Sequence, residues 1–505
     1  MTALARRGTI GVDVAAALNL VGGLVKYLAL AFLFPVAVAV GYGESPWPFV
    51  AAGAITAAAG LLLELVTQGK EHVGAREGFL VVALTWFLAA LFGCLPYLFS
   101  GEPQLSNPVD AYFEAMSGFT TTGASVLTDI EGLSRSLLMW RQFTQWLGGM
   151  GIIVLALAVL PRLRIGGRQL FESEMPGPDV ERLTTSIRET ARRLWVLYVA
   201  LTAAVIALLG LWAVSGIDEE MTLYDAAAHA FTTMPTGGFS PRDASLSEFG
   251  AATQWTVLVF MVLGGANFAL LYAALVRRRA RPLLRDDEFR LYVGLAIVAT
   301  LVLFGELLAR GLFEGEAAFR HAAFQAVSIM TTSGFASADY TQWTTLALVG
   351  LVGLMLIGGS AGSTSGSIKV VRHLIIGRSL RRELDVSVHP ELISPLRFNR
   401  RPVDEKTVRA VIAFVLLYVG AFALGALLIT IDAAVKGVVV TPFEAIAAAA
   451  ATIGNVGPSV GFAGPFGSYE SFSDTSKGVM IVLMWMGRLE LVPVIVLFTR
   501  SYWRA

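Results

Sequence analysis

The chain has 505 residues, of which 55% are hydrophobic and only 15% charged, and its mean hydropathy is +0.66. Soluble domains carry about 25% charged residues, so the balance points to a protein of the lipid bilayer, and a net charge of zero gives no overall pull toward nucleic acid. A single cysteine, Cys94, excludes disulfides within the chain and a thiolate metal cluster; it reads as a small apolar helix residue.

Ten apolar helices are expected to span the membrane, at roughly 12–41, 47–68, 77–100, 135–161, 190–215, 250–277, 287–311, 342–376, 406–432 and 475–500. About 20 residues rising ~1.5 Å each cross ~30 Å of hydrocarbon. The first run is too long for a cleavable signal and is followed by another span. Lys26, Glu64 and Glu306 read as snorkelling or lipid-facing charges. With the N-terminus inside, 29 of the 38 Lys and Arg fall on the cytoplasmic side, seven outside, and Lys26 and Arg488 within the membrane. That asymmetry orients the chain with both termini cytoplasmic. The basic clusters at 277–281 and 378–382 are therefore topological signals rather than nucleic-acid contacts.

Four segments between the helices repeat one another: DAYFEAMSGFTTTGAS (110–125), DAAAHAFTTMPTGGFS (225–240), HAAFQAVSIMTTSGFAS (321–337) and EAIAAAAATIGNVGPS (444–459). Each opens on a polar residue followed by alanine or near it (Asp110, Asp225, His321, Glu444) and reaches a glycine, aligned as Gly123, Gly237, Gly334 and Gly457 at offsets of 13, 12, 13 and 13. A second interruption follows each, at WLGGMGII, VLGGANFA, LIGGSAGSTSGS and WMGRLELV, with Gly148, Gly264, Gly358 and Gly487. The unit is thus helix, half-helix, Gly/Thr turn, helix, four times over. The expected divisions are 1–75 for two extra N-terminal helices, then repeats at 76–180, 181–284, 285–400 and 401–505.

A half-helix of about 12 residues rises ~18 Å, to mid-bilayer, where irregular backbone is tolerated only if buried in protein or lining a watery cavity. Its inward C-terminal end carries partial negative charge, and four such ends on one axis suit a cation. Glycine lets successive carbonyls face one way and replace the hydration shell of an alkali ion. Thr121, Thr122, Thr236, Thr332 and Ser333 can add hydroxyl oxygens. No carboxylate lies in the four turns, against a Ca²⁺ or Mg²⁺ site. The run Gly358, Gly359, Ser360, Ala361, Gly362, Ser363, Thr364, Ser365, Gly366 is poor helix material, and Arg488 is a mid-span charge that needs a partner or water. Glu490, two positions on, is on a different face of that helix.

TTTGAS, PTGGFS, TTSGFAS and IGNVGPS, with GGSAGSTSGSIKVVRH and MGRLELVPV, closely resemble the Trk/Ktr/HKT superfamily of potassium transporters over nearly the full length, nearest to the bacterial Trk-type membrane subunits (the TrkH kind). The resemblance implies an all-α polytopic membrane protein with two N-terminal helices and four M1–pore helix–M2 repeats around a central pseudo-four-fold pore. It implies a K⁺ filter at Thr121, Thr122, Gly123, Ala124; Pro235, Thr236, Gly237, Gly238; Thr332, Ser333, Gly334, Phe335; and Asn455, Val456, Gly457, Pro458, with Rb⁺ accepted. Pro235, Asn455 and Pro458 depart from a uniform filter. It further implies that the run from Gly358 to Gly366, with Arg488, forms an intramembrane gate. K⁺ uptake across the cytoplasmic membrane, a homodimer, and a separate nucleotide-binding ring of the TrkA kind docked on the segment 378–406 complete the implied picture.

No Walker A loop, dinucleotide fingerprint or nucleophile elbow occurs, so neither an enzyme nor a resident cofactor is expected. The five histidines lack metal-ligand spacing. An ion-coupled carrier would also gather broken helices at mid-membrane; four same-orientation repeats speak against rocking halves, while coupling to H⁺ or Na⁺, and weaker K⁺/Na⁺ discrimination, stay open.

Overall fold

The computed structural model describes residues 12–67, 74–159, 187–391 and 394–504. The expected division at 180/181, His72 and the basic residues between 162 and 182 lie outside them. Among the described residues the regular structure is helical, apart from a two-residue hairpin, Arg397–Phe398 antiparallel to Arg401–Pro402. Among the described residues, six helices are long and apolar enough to cross a membrane, eight if each bent pair counts as one span.

The first two spans, Val14–Tyr42 and Trp47–Val66, cross closely because glycine faces glycine. A Cβ on Gly22 would lie 2.9 Å from the Gly60 carbonyl oxygen, and one on Gly60 would lie 2.6 Å from the Lys26 nitrogen. At this crossing Lys26 and Glu64 form an ion pair, so the two charges expected to snorkel or face lipid separately neutralise each other. Glu306 stays near a helix end, 3.9 Å from Arg310.

Four short helices carry the repeat: Pro108–Phe119, Leu223–Thr233, Gly315–Met330 and Pro442–Ile453. Three begin where the sequence suggests. Asn107, Thr222 and Thr441 cap them through their side chains, and Asp110, Asp225 and Glu444 lie in the first turns, where acids meet the helix dipole. The third starts earlier than expected, at Gly315 with Glu316 in its first turn, so His321 sits mid-helix rather than at its opening.

The helices that follow differ from one another. Arg135–Val159 is continuous through Gly148. The expected spans 250–277 and 475–500 are instead bent pairs: Ala251–Gly264 with Phe268–Leu275 turns through 112°, and Asp474–Arg488 with Val492–Phe498 through 115°. Asn267 starts the new direction by accepting hydrogen bonds from the Ala269 and Leu270 amides. In the other pair Glu490 and Leu491 adopt φ of 55° and 57°, which no helix continues through. The expected span 342–376 is Thr345–Met355, an irregular stretch, and then Val370–Val388; the irregular part is longer than the expected 358–366.

Candidate functional site

Each half-helix ends in the same backbone manoeuvre. The amides of Thr122, Gly237, Ser333 and Val456 donate to the carbonyls of Ser117, Thr232, Ser328 and Ala451 at 2.8, 2.9, 2.8 and 2.8 Å, satisfying carbonyls that a helix end leaves open. The residue before each has a left-handed backbone: Thr121, Thr236, Thr332 and Asn455, at φ 53°, 53°, 57° and 52°. The residue after each is a glycine with positive φ: Gly123, Gly238, Gly334 and Gly457, at 83°, 78°, 77° and 100°.

This geometry corrects the register of the second turn. Gly238, not Gly237, corresponds to the other three glycines, and it stands 13 residues after Asp225, the spacing of the other repeats. The second strand equivalent to 121–124 is therefore 236–239, ending on Phe239, and Pro235 precedes it. Two adjacent glycines look alike in sequence; only one of them takes the conformation that needs glycine.

The four strands close on one another in chain order. A Cβ on Gly123 would lie 2.2 Å from the Gly237 oxygen, on Gly238 1.9 Å from Ser333 O, on Gly334 2.1 Å from Val456 O, and on Gly457 2.6 Å from Thr122 O. Each glycine thus abuts the carbonyl that precedes the glycine of the next repeat, and the fourth returns to the first. Asn455 adds a cross-link by donating to Thr122 Oγ1 and to the Met484 carbonyl, both at 2.9 Å.

Side chains outside the expected set brace the ring. Arg141 and Glu114 form a buried ion pair. Glu114 accepts from Ser125 Oγ and the Val126 amide, both at 3.1 Å, and Arg141 donates to Ser240 O at 2.9 Å with its guanidinium 3.7 Å from the Phe239 ring centre. Gln145 bonds the second strand through Gly237 O and the Phe239 amide. Tyr469 donates to Gly457 O at 2.7 Å, and Tyr340 to Ser459 O at 2.9 Å. A cavity on this side is lined by the ring glycines Gly123, Gly238 and Gly334 together with Arg141, Arg242 and Asp243. The hydrogen bond to Asp225 holds the Arg242 guanidinium above its ordinary range, and both arginines of the cavity are paired with carboxylates, Arg242 with Asp225 and Arg141 with Glu114. Of these bracing residues only Glu114 lies in a repeated segment, and the other three segments have no carboxylate at its place. Arg141 shows in the sequence only as one of the few arginines outside.

The irregular stretch of the third repeat lies against the ends of the half-helices. Ser365 Oγ donates to Thr331 O at 2.7 Å, the Gly366 amide to Thr332 Oγ1 at 2.8 Å, and Thr364 Oγ1 to Met234 O at 3.0 Å. A Cβ on Gly366 would lie 2.4 Å from Gly454 O. The stretch also docks in the bend of the second repeat, where Ser360 N donates to Gly265 O at 2.8 Å and Phe268 N to Gly362 O at 3.0 Å. Arg488, buried, donates to Thr364 O at 2.7 Å and to Gly148 O at 2.9 Å. It ties the stretch to the first repeat through carbonyls. Glu490 pairs with Lys369, at 2.7 Å, and with Arg372. Glu288, which the sequence did not single out, accepts from the amides of Ala361 at 2.6 Å and Val371 at 3.1 Å.

Helices of spanning length, half-helices that turn back, and a ring of backbone with no carboxylate in its turns define a polytopic all-α membrane protein of the ion-transporting kind. The chain belongs to the TrkH family: the family model, described as a cation transport protein, matches residues 48–504. It is similar to the Trk system potassium uptake protein TrkH of Escherichia coli (strain K12), 38% identical over 86% of this chain and 87% of that one. It is also similar to TrkH of Halomonas elongata, 35% identical over 96% and 98%. Its fold matches the crystal structure of the potassium transporter TrkH from Vibrio parahaemolyticus, with TM-score 0.85 and 33% identity over 97% of this chain and all of that one.

Proposed function

We propose that the chain carries K⁺ inward across the cytoplasmic membrane, through the ring formed by 121–124, 236–239, 332–335 and 455–458 acting as a channel-like selectivity filter. Its relatives are named for potassium uptake. The observation that carries the filter reading is the cyclic closure. Four glycines at positive φ, each against the next strand's carbonyl, leave backbone and hydroxyl oxygens to face a permeating ion, as alkali-ion coordination requires. The stretch 358–366 and Arg488 act as the gate, because they lie against the half-helix ends and reach the first three repeats through hydrogen bonds. A homodimer with cytoplasmic termini, and a nucleotide-binding ring of the TrkA kind seated on the 378–406 segment, complete the assembly.

The test is ion flux from purified protein in liposomes, offered K⁺, Rb⁺, Na⁺ and Li⁺ in turn with and without a pH gradient. K⁺ and Rb⁺ should pass well ahead of Na⁺ and Li⁺, at rates that ignore the pH gradient. Flux that follows the pH gradient would replace the channel-like reading with an ion-coupled symporter.

A further inference from the structure

The second strand is the odd member of the ring. Just before the ring glycine the other strands carry Thr122, Ser333 and Val456, all buried; the second carries Gly237. The space beside Gly237 is filled from elsewhere. A Cβ there would lie 2.3 Å from Oε1 and 2.5 Å from Cδ of Gln145, a buried residue that reaches over from the Arg135–Val159 helix of the first repeat. Its amide satisfies both sides of the strand: Nε2 donates to Gly237 O at 2.7 Å, and Oε1 accepts from the Phe239 amide at 3.1 Å. The same nitrogen lies 3.6 Å from where a Cβ on Gly123 would be.

Gln145 is itself an exception within the repeat. It stands three residues before Gly148, and the residues three before Gly264, Gly358 and Gly487 are Met261, Met355 and Met484, all fully buried. Two departures therefore coincide in one quadrant: glutamine where the other helices have methionine, and glycine where the other strands have a side chain. A methionine offers no donor to a strand. A glycine with no side chain to pack is conformationally freer than its counterparts and loses more entropy when ordered. Glutamine answers both, filling the volume and fixing a donor and an acceptor two residues apart.

We infer that Gln145 is the positioning residue of the second strand, standing in from the first repeat for the side chain that Gly237 lacks, and that this pair sharpens ion discrimination in its quadrant. The oxygen Gln145 holds is the one that abuts Gly123, so it sets the seam between the first and second strands. The inference rests on the reading of the ring as a filter.

The test compares Gln145→Met, Gly237→Ser and the double variant, with Gly123→Ser as a reference, by K⁺:Na⁺ flux ratio in liposomes and by thermal unfolding in detergent. The double variant recreates the pattern of Met261 with Ser333. Each single substitution should lower the ratio about tenfold, the scale of coupling between contacting residues, and the double should return to within about threefold of the unmodified protein. A purely packing role would move unfolding temperature but leave the ratio of the folded protein alone, which overturns the inference. If Gly237→Ser does not fold, Gln145→Met must restore folded protein in the double variant; failure to do so also overturns it. A double variant no better than its worse single, while Gly123→Ser still lowers the ratio, removes the Gln145 inference and leaves the filter standing. No change in ratio for any variant, Gly123→Ser included, removes both.

Discussion

At the scale of single residues, the ring is defined by where a methyl group will not fit. Gly123→Ser places a side chain about 2.2 Å from the Gly237 oxygen on a backbone at φ 83°, so carbonyl and strand must both shift. We expect K⁺ preference over Na⁺ to fall, read as a flux ratio in liposomes; an unchanged ratio would remove the first strand from the filter. The Arg141–Glu114 pair makes a different prediction. Both side chains are nearly without solvent contact, and breaking a buried pair strands one charge. Glu114→Ala should therefore cost about 3–5 kcal/mol of stability, seen as a lower unfolding temperature, and a surface-like effect within about 0.5 kcal/mol would contradict the geometry. Part of this scale is legible in the sequence. The Gly/Thr turns announce themselves because they interrupt apolar runs at a near-constant offset from an opening polar residue. The register of Gly237 against Gly238 does not, since residue identity is silent on φ. The partners of Glu114 are equally hidden: Arg141 is 27 residues away and Ser240, which Arg141 also bonds, is 99 from Arg141, distances no local pattern spans.

At the scale of elements, the three broken helices divide the labour. The bends at 264–268 and 488–492 make room for the irregular stretch of the third repeat, which hydrogen-bonds into the first bend and is held by Arg488 from beside the second. Arg488→Ala removes the donors to Thr364 O and Gly148 O and should raise K⁺ flux while leaving the K⁺:Na⁺ ratio in place; a fall in flux with intact folding would argue that Arg488 keeps the path open instead. Glu288→Gln tests the other anchor. The glutamine keeps an acceptor for the Ala361 and Val371 amides but replaces an oxygen with an NH2 beside them, so the anchor should loosen and flux should rise in the same direction, by less than for Arg488→Ala. The Gly/Ser composition of 358–366 advertises a break. GGAN and RLEL show in the sequence as interruptions but not as changes of direction, because both lie within hydrophobic runs long enough to pass for continuous spans. Backbone turning at Glu490 and Leu491 is paid for by tertiary contacts, among them the Lys369 and Arg372 pairs, that periodicity does not reveal.

At the scale of the whole molecule, four similar units in one chain are free to differ, and the differences are organised. One second helix is continuous and three are broken; one strand lacks a side chain and borrows another; one repeat supplies the irregular stretch that meets the second and fourth directly and the first through Arg488. Closure around the ring is reinforced on the rim by Lys477 with Asp110 at 2.6 Å, both buried, joining the fourth repeat to the first half-helix. Lys477→Met should weaken this seam selectively: unfolding temperature should fall, and limited proteolysis should release the C-terminal repeat first. Cleavage that instead starts in the second or third repeat would show that the seam is not the weak point.

The closure of Gly457 onto Thr122 joins residues more than 330 positions apart, and that has a consequence for how the protein is made. At roughly 5–20 residues per second, on the order of half a minute passes after the first turn emerges before its last neighbour exists. During that interval three half-helices, with polar turns that hydrocarbon cannot solvate, stand in or beside the bilayer around an unfinished ring. Their buried hydroxyls and amides need a temporary host, in the insertion machinery or in delayed entry of the half-helices themselves. A ring of four separate subunits would be completed by encounter; this one is completed by the ribosome finishing its sentence.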